Sequence, residues 1–199
     1  MKVARPYASA AAKTSDTAAA PWGAPLPQLS GPAAALRQVL AAHMVRNCAH
    51  IVEIGGAGLP ITGFLTHRPE TVTVIDPKIP EFSASTLNGA PCRLRHHAAK
   101  LQQVEIAPPG PYALILLGLS LKPFGQHGAT PPELLAIAAG ADVLVIDYAV
   151  DLARAQGQID ALMGTRAAPP TIDLALTIND EGLRKAGFDR RRFLAFGPA

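Results

Sequence analysis

The sequence predicts an α/β protein with a doubly wound, mostly parallel sheet and helices on both faces. Three observations predict it. Short runs rich in β-branched residues alternate with stretches of helical periodicity, the order that parallel βαβ units require. Two of those runs, YALILLGL at residues 112–119 and DVLVID at 142–147, are apolar on both sides, as a central strand must be when helices cover both its faces. A glycine-rich turn at 55–58 follows the first run and precedes a helix-compatible stretch, the strand, tight turn and helix junction of such sheets.

In chain order, residues 1–31 hold Pro6, Pro21, Pro25 and Pro27 with little aliphatic periodicity, which predicts an unstructured or loosely docked arm whose Trp22 anchors the tail or packs as a lid over a ligand. A helix is expected from Pro32, because Leu36, Val39, Leu40, His43 and Met44 recur at three- and four-residue spacing. Residues 50–54 form the first strand, 60–67 a helix, and 71–75 a second strand ending at Asp76 and Pro77. A weaker third strand is expected at 92–96, then the strand at 112–119, a helix at 131–139, the strand at 142–147 and a helix from 151 to about 163. Residues 171–178 fit either a strand or an extended lead-in. A last helix at 179–186, stopped by Gly187, leads into a terminal strand at 191–196. A chain ending at Ala199 then leaves little room for a seventh strand, and an exposed sheet edge would be covered by a second copy in a homodimer or by the arm.

Composition narrows the function classes. A chain of 199 residues suits one domain, and 49% apolar against 17% charged residues argues for a packed interior. With 18 Lys+Arg against 15 Asp+Glu the formal charge of +3 is too small to mark a nucleic-acid binder, and the run Arg190, Arg191, Arg192 reads as a solvated strand edge. Cys48 and Cys92 have neither metal spacing nor the density of a disulfide scaffold, which points to a reducing, cytoplasmic setting. No window approaches the roughly 20 apolar residues of a membrane span. His96 and His97 are neighbours that point to opposite sides of a strand, so no metal site is expected, and no G-x-S-x-G elbow marks a hydrolase.

The chemistry-bearing motif is I-V-E-I-G-G-A-G-L-P-I-T at residues 51–62. In a Rossmann-type sheet, ligands bind beyond the carboxyl ends of the strands, where the topology switches direction. Glycine permits positive φ and lets a ligand touch main chain, while Asp76, ending the next strand, can accept two hydrogen bonds from ribose hydroxyls. A nicotinamide-binding loop expects G-x-G-x-x-G, and Pro60 stands where its third glycine would be.

Over most of residues 32–199 the chain resembles the class I S-adenosylmethionine-dependent methyltransferases. The resemblance rests on Glu53 before the loop, Asp76 at the ribose position and L-R-K-A-G-F at 183–188. It implies a small-molecule methyltransferase in which S-adenosyl-L-methionine meets Glu53, Gly55, Gly56, Ala57, Gly58, Asp76, Pro77, His97, Gly118 and Leu119. The usual loop is G-x-G-x-G, whereas Ala57 and Leu59 stand here, and His96, His97 and Ala98 occupy the place of the acid that often meets adenine. Gly118 to Phe124 carry no Asn-Pro-Pro-Tyr or Asp-Pro-Pro motif, so a base or glutamine amino group is a poor acceptor. The spelling G-G-A-G-L-P-I-T is also similar to the loop of nicotianamine-synthase-like enzymes, which transfer or cyclise the aminocarboxypropyl arm of the same cofactor. The altered loop motivates a third expectation, a degenerate fold that binds without catalysis.

Methyl transfer is an in-line displacement that needs an aligned nucleophile and sometimes a base. Catalytic residues are expected after the strands at 112–119 and 142–147: Ser120, with Lys122 nearby, Asp147 to take a proton, and Tyr148 to orient the acceptor or stack on the cofactor.

Overall fold

The computed structural model describes residues 31–56, 58–117, 130–151 and 153–197. Its strands are β1 (His50–Ile54), β2 (Thr71–Ile75), β3 (Phe82–Leu87), β4 (Ala90–His97), β5 (Tyr112–Leu116), β6 (Val143–Ala149), β7 (Ile172–Thr177) and β8 (Arg190–Phe196). The helix α1 (Gly31–Met44) precedes them, and α2 (Pro132–Gly140), α3 (Ala153–Met163) and α4 (Glu181–Ala186) lie between later strands. One eight-stranded sheet has the order β3-β4-β2-β1-β5-β6-β8-β7. The run from β4 to β6 is parallel, and β3, β8 and β7 add antiparallel pairs at its two ends.

Alternation along each strand sorts the core into two layers. Ile51, Val72, Ala113, Ile115, Val145 and Phe193 face α1, whose small residues Ala41 and Ala42 let it lie close to the sheet. Val52, Leu114, Leu116, Leu144, Ile146 and Leu194 face α2 and α3, which contribute Leu134, Ala138, Ile159 and Leu162. Leu114 and Ile115 are adjacent and both wholly buried, so β5 has no wet face. Each such side chain contributes roughly 1.5–3 kcal/mol relative to exposure.

Several expectations change. Instead of a helix at 60–67, one 3-10 turn, Ile61–Gly63, bridges β1 and β2; Pro60 precedes it and Gly63 ends it. The weak third strand is the second arm of a hairpin, with Asn88 at φ 52° and Gly89 at φ 72° in its tight turn. That geometry matches the type I′ turn for which Asn-Gly is the strongest short sequence signal. The ambiguous segment at 171–178 is β7, and β8 is inserted between it and β6, so the sheet is larger than the expected six strands. Among the described residues helices flank both faces only in part: β4 joins β5 through a loop holding a single 3-10 turn, Leu101–Gln103, and no described helix lies over that part of β2 and β4. α4 ends as its sequence predicts, with Gly187 at φ 72° and Phe188 N–H donating to Leu183 O at 2.9 Å. The arm expected at 1–31 lies, but for Gly31, outside the described residues. Among those described, no helix is long and apolar enough to cross a membrane.

Candidate functional site

The topology reverses between β1 and β5: the chain leaves β1 toward β2 and β4, then returns to β5 on the other side of β1. The crevice beyond the carboxyl ends of these strands is where doubly wound sheets bind ligands. The loop after β1 stands there. Gly55 and Gly58 take φ 75° and 82°, values that disfavour any side chain. Gly55 N–H donates to Ile75 O at 2.9 Å, carrying the β1–β2 ladder one residue into the loop. Asp76, at the end of β2, accepts from Gly58 N–H at 3.0 Å through Oδ2 and from Lys78 N–H at 2.9 Å through Oδ1. The glycine turn and the acid therefore meet on one side of the sheet. A carboxylate offers about four lone-pair sites, so these two bonds leave capacity for ligand hydroxyls.

Glu53 is wholly buried and supports the loop from beneath. Its Oε2 accepts from Ile61 N–H at 2.7 Å and its Oε1 from the Gln38 side-chain amide at 2.7 Å; Gln38 also donates to Leu59 O. Burial pushes the Glu53 carboxyl up to about 7, with Asp76 acting in the same direction, against the lowering effects of Gln38, Ile61 and Arg37. Gly56 is sterically required here, since a Cβ would stand 2.5 Å from Glu53 Oε1. Glu53 thus positions the loop and presents no surface to a ligand.

A second buried assembly ties α1 to the strand ends. Arg37, only 3% exposed, donates to Leu117 O at 2.8 Å, to Gly56 O at 3.3 Å and to Asp147 Oδ2 at 3.2 Å. Arg191 on β8 reaches the same carboxylate, its Nε donating to both oxygens at 3.0 and 3.1 Å. Asp147 is therefore the centre of an Arg37–Asp147–Arg191 cluster. Where a proton acceptor was expected, both oxygens of the carboxylate are taken up by guanidinium donors. Tyr148 points to the opposite face, into the α2/α3 layer, and does not share a site with Asp147.

The chain matches no protein-family model and no curated protein.

Of the other expected site residues, Pro77 is exposed on the turn after Asp76. His97 is half-buried, its Nδ1 3.4 Å from Glu81 Oε1, and its carbonyl accepts from Asp76 N–H at 3.1 Å. Ala57, Gly118, Leu119, Ser120 and Lys122 lie outside the described residues. The structure thus brings together Glu53, Gly55, Gly56, Gly58, Asp76 and Pro77, with His97 alongside, and separates Tyr148 from them. Sequence reasoning missed Arg37 and Gln38, and it read Arg191 as part of a solvated edge, whereas the alternation of β8 turns this side chain inward to 3% exposure. Adjacent polar residues, Arg37 and Gln38, within an otherwise small and apolar helix were a usable signal, since that stripe faces the sheet. Among the described residues, no three of His, Cys, Asp and Glu gather as a metal site requires.

Proposed function

We propose that this protein binds the nucleoside of S-adenosylmethionine between the Gly55–Gly58 turn and Asp76, and acts as a transferase, foremost a small-molecule methyltransferase. The carrying observation is the contact of Asp76 Oδ2 with Gly58 N–H at the topological switch of a sheet whose parallel strands run in the chain order 3-2-1-4-5. Asp76 would hold the ribose hydroxyls, and the turn would lie against the cofactor's main body; Gly58, where a Cβ meets nothing nearer than 3.9 Å, leaves that approach open. The strand beside β6 runs antiparallel, whereas a dinucleotide-binding sheet of six parallel strands continues in parallel, which disfavours the nicotinamide alternative. When bound, the cofactor supplies a sulfonium carbon open to nucleophilic attack.

The clamped Asp147 favours acceptors that need no proton removed by this carboxylate, such as a thiolate or a neutral amine. The same observation favours a second reading, binding without catalysis. Calorimetric titration with S-adenosylhomocysteine tests the binding step, and Asp76→Ala should weaken it ten- to a hundredfold, the range for hydrogen bonds to a charged group. Absence of heat with the unaltered protein overturns the proposal. Incubation with S-adenosylmethionine and a metabolite extract then separates the chemistries: S-adenosylhomocysteine marks methyl transfer, methylthioadenosine the nicotianamine-synthase-like alternative, and neither product the non-catalytic module.

A further inference from the structure

We infer that the face of β2 and β4 that no described helix covers is a second binding site, for a small phosphate-bearing ligand, separate from the crevice at the strand ends. The face owes its character to alternation. In β4, Cys92, Leu94 and His96 turn into the α1-side layer, which leaves Arg93 and Arg95 exposed on the other side; in β2, Val72 and Val74 do the same and leave Thr71 and Thr73. Register pairs Thr71 with Arg93 and Thr73 with Arg95, so hydroxyl and guanidinium stand side by side twice. The loop at 105–109 rises beside them as a wall. Together they enclose a hollow of about 290 Å³, floored by Val52 and closed at one end by His97. A wider hollow of about 770 Å³ adjoins it, shares Arg93 and Arg95, and is bordered by Ser83 and Ser85.

A solvated sheet face would carry its charges paired or scattered. Among the described residues, neither Arg93 nor Arg95 makes an ion pair or side-chain hydrogen bond, and the Thr73 hydroxyl is likewise unused. Alternate residues on a strand lie about 7 Å apart, close enough for two guanidinium groups to grip one phosphate or two linked ones. Arginine suits this work because its planar fork binds phosphate oxygens in pairs. Glu105 is the one carboxylate lining the smaller hollow and sits on the wall, while Glu70 borders the wider one. The smaller volume approaches the lower end of small-ligand pockets, and the wider hollow gives room for the rest of such a molecule. Among the described residues no Phe, Tyr or Trp lines either hollow and His97 is the single stacking ring, too few for the platform of a single-stranded nucleic-acid binder.

The test uses the full chain and inorganic pyrophosphate, with sodium chloride matched in ionic strength as the reference, read by amide chemical shifts. Saturable shifts centred on residues 71–73, 93–97 and 105–109 are expected, weakened at least tenfold in R93Q/R95Q. Both arginines are exposed, so circular dichroism should show the double variant folded. Asp76→Ala should keep pyrophosphate binding, which separates this site from the cofactor crevice. Shifts no larger than chloride produces overturn the inference. So do equal shifts in R93Q/R95Q, loss of binding in Asp76→Ala, or binding of a short single-stranded RNA that pyrophosphate does not displace.

Discussion

Glu53→Gln isolates a wholly buried carboxyl that the fold carries at an abnormal proton affinity. The unperturbed value is 4.5 and the folded one about 7. Between these values the folded chain binds more protons than the unfolded one, so Glu53 makes stability fall as pH rises from about 4.5 to about 7. At 1.36 kcal/mol per pKa unit, the gap amounts to roughly 3 kcal/mol, lost in full only above the folded value. His96 acts in the reverse sense, because burial lowers its proton affinity, and Glu81 only partly offsets that. Its contribution rises as pH climbs through the ordinary histidine range, but the substitution leaves it in place. Urea unfolding of both proteins at pH 4.5, 6 and 7.5 therefore supplies a difference curve from which His96 drops out. Relative to Glu53→Gln, the unaltered protein should lose about 3 kcal/mol across that window. A flat difference, or one that grows in favour of the unaltered protein, would show that Glu53 is ionised and well solvated in the fold, and would remove it as the loop's buried support.

Arg37→Met should cost about 3 kcal/mol in urea unfolding, since it breaks a buried ion pair and strips a donor from Leu117 O and Gly56 O; a loss under about 1 kcal/mol refutes the cluster's structural weight. Gly56→Ala should lower stability by about 1–3 kcal/mol, because its Cβ would press on Glu53 Oε1 at 2.5 Å and Leu59 O at 3.0 Å. Gly63→Ala, with no atom within 4 Å of its Cβ, is the matched control and should show no steric loss by thermal unfolding. Asn88→Ala should cost about 1–2 kcal/mol, as it strains a residue at φ 52° and removes side-chain donors to Leu65 O at 2.7 Å and His67 O at 3.2 Å. Faster amide exchange in β3 and β4 is the accompanying readout.

β5 and β6 were legible because a strand buried on both faces is apolar along most of its length, and β1 and β2 because short runs rich in β-branched residues stop at a glycine turn and at Asp76. The glycine turn and Asp76 were legible because positive φ and a strand-end acid leave local marks, and α4 was legible from its Gly187 stop, though its start was set by the Asp180 cap one residue into the expected helix. The hairpin was readable but missed: Asn88-Gly89 carried the signal, while the short polar strand before it, FSASTL, lacked the hydrophobic weight of its neighbours. The helix expected at 60–67 failed because compatible residues do not make a helix unless an apolar stripe and its ends are satisfied. Here Ile61 N–H is taken by Glu53, and the chain bends after one turn.

By itself, the sequence determined the α/β class, the order of most elements and the turn chemistry at Gly55 and Gly58, since these depend on periodicity and on dihedral limits within a few residues. Only the tertiary structure decided what the charged groups do. Asp147 on β6 meets Arg37 from α1 and Arg191 from β8, residues 110 and 44 positions away, and Glu53 is turned inward by Gln38 and Ile61. A carboxylate's role is set by which donors surround it and by its access to water. For these side chains, those surroundings are assembled from elements distant along the chain.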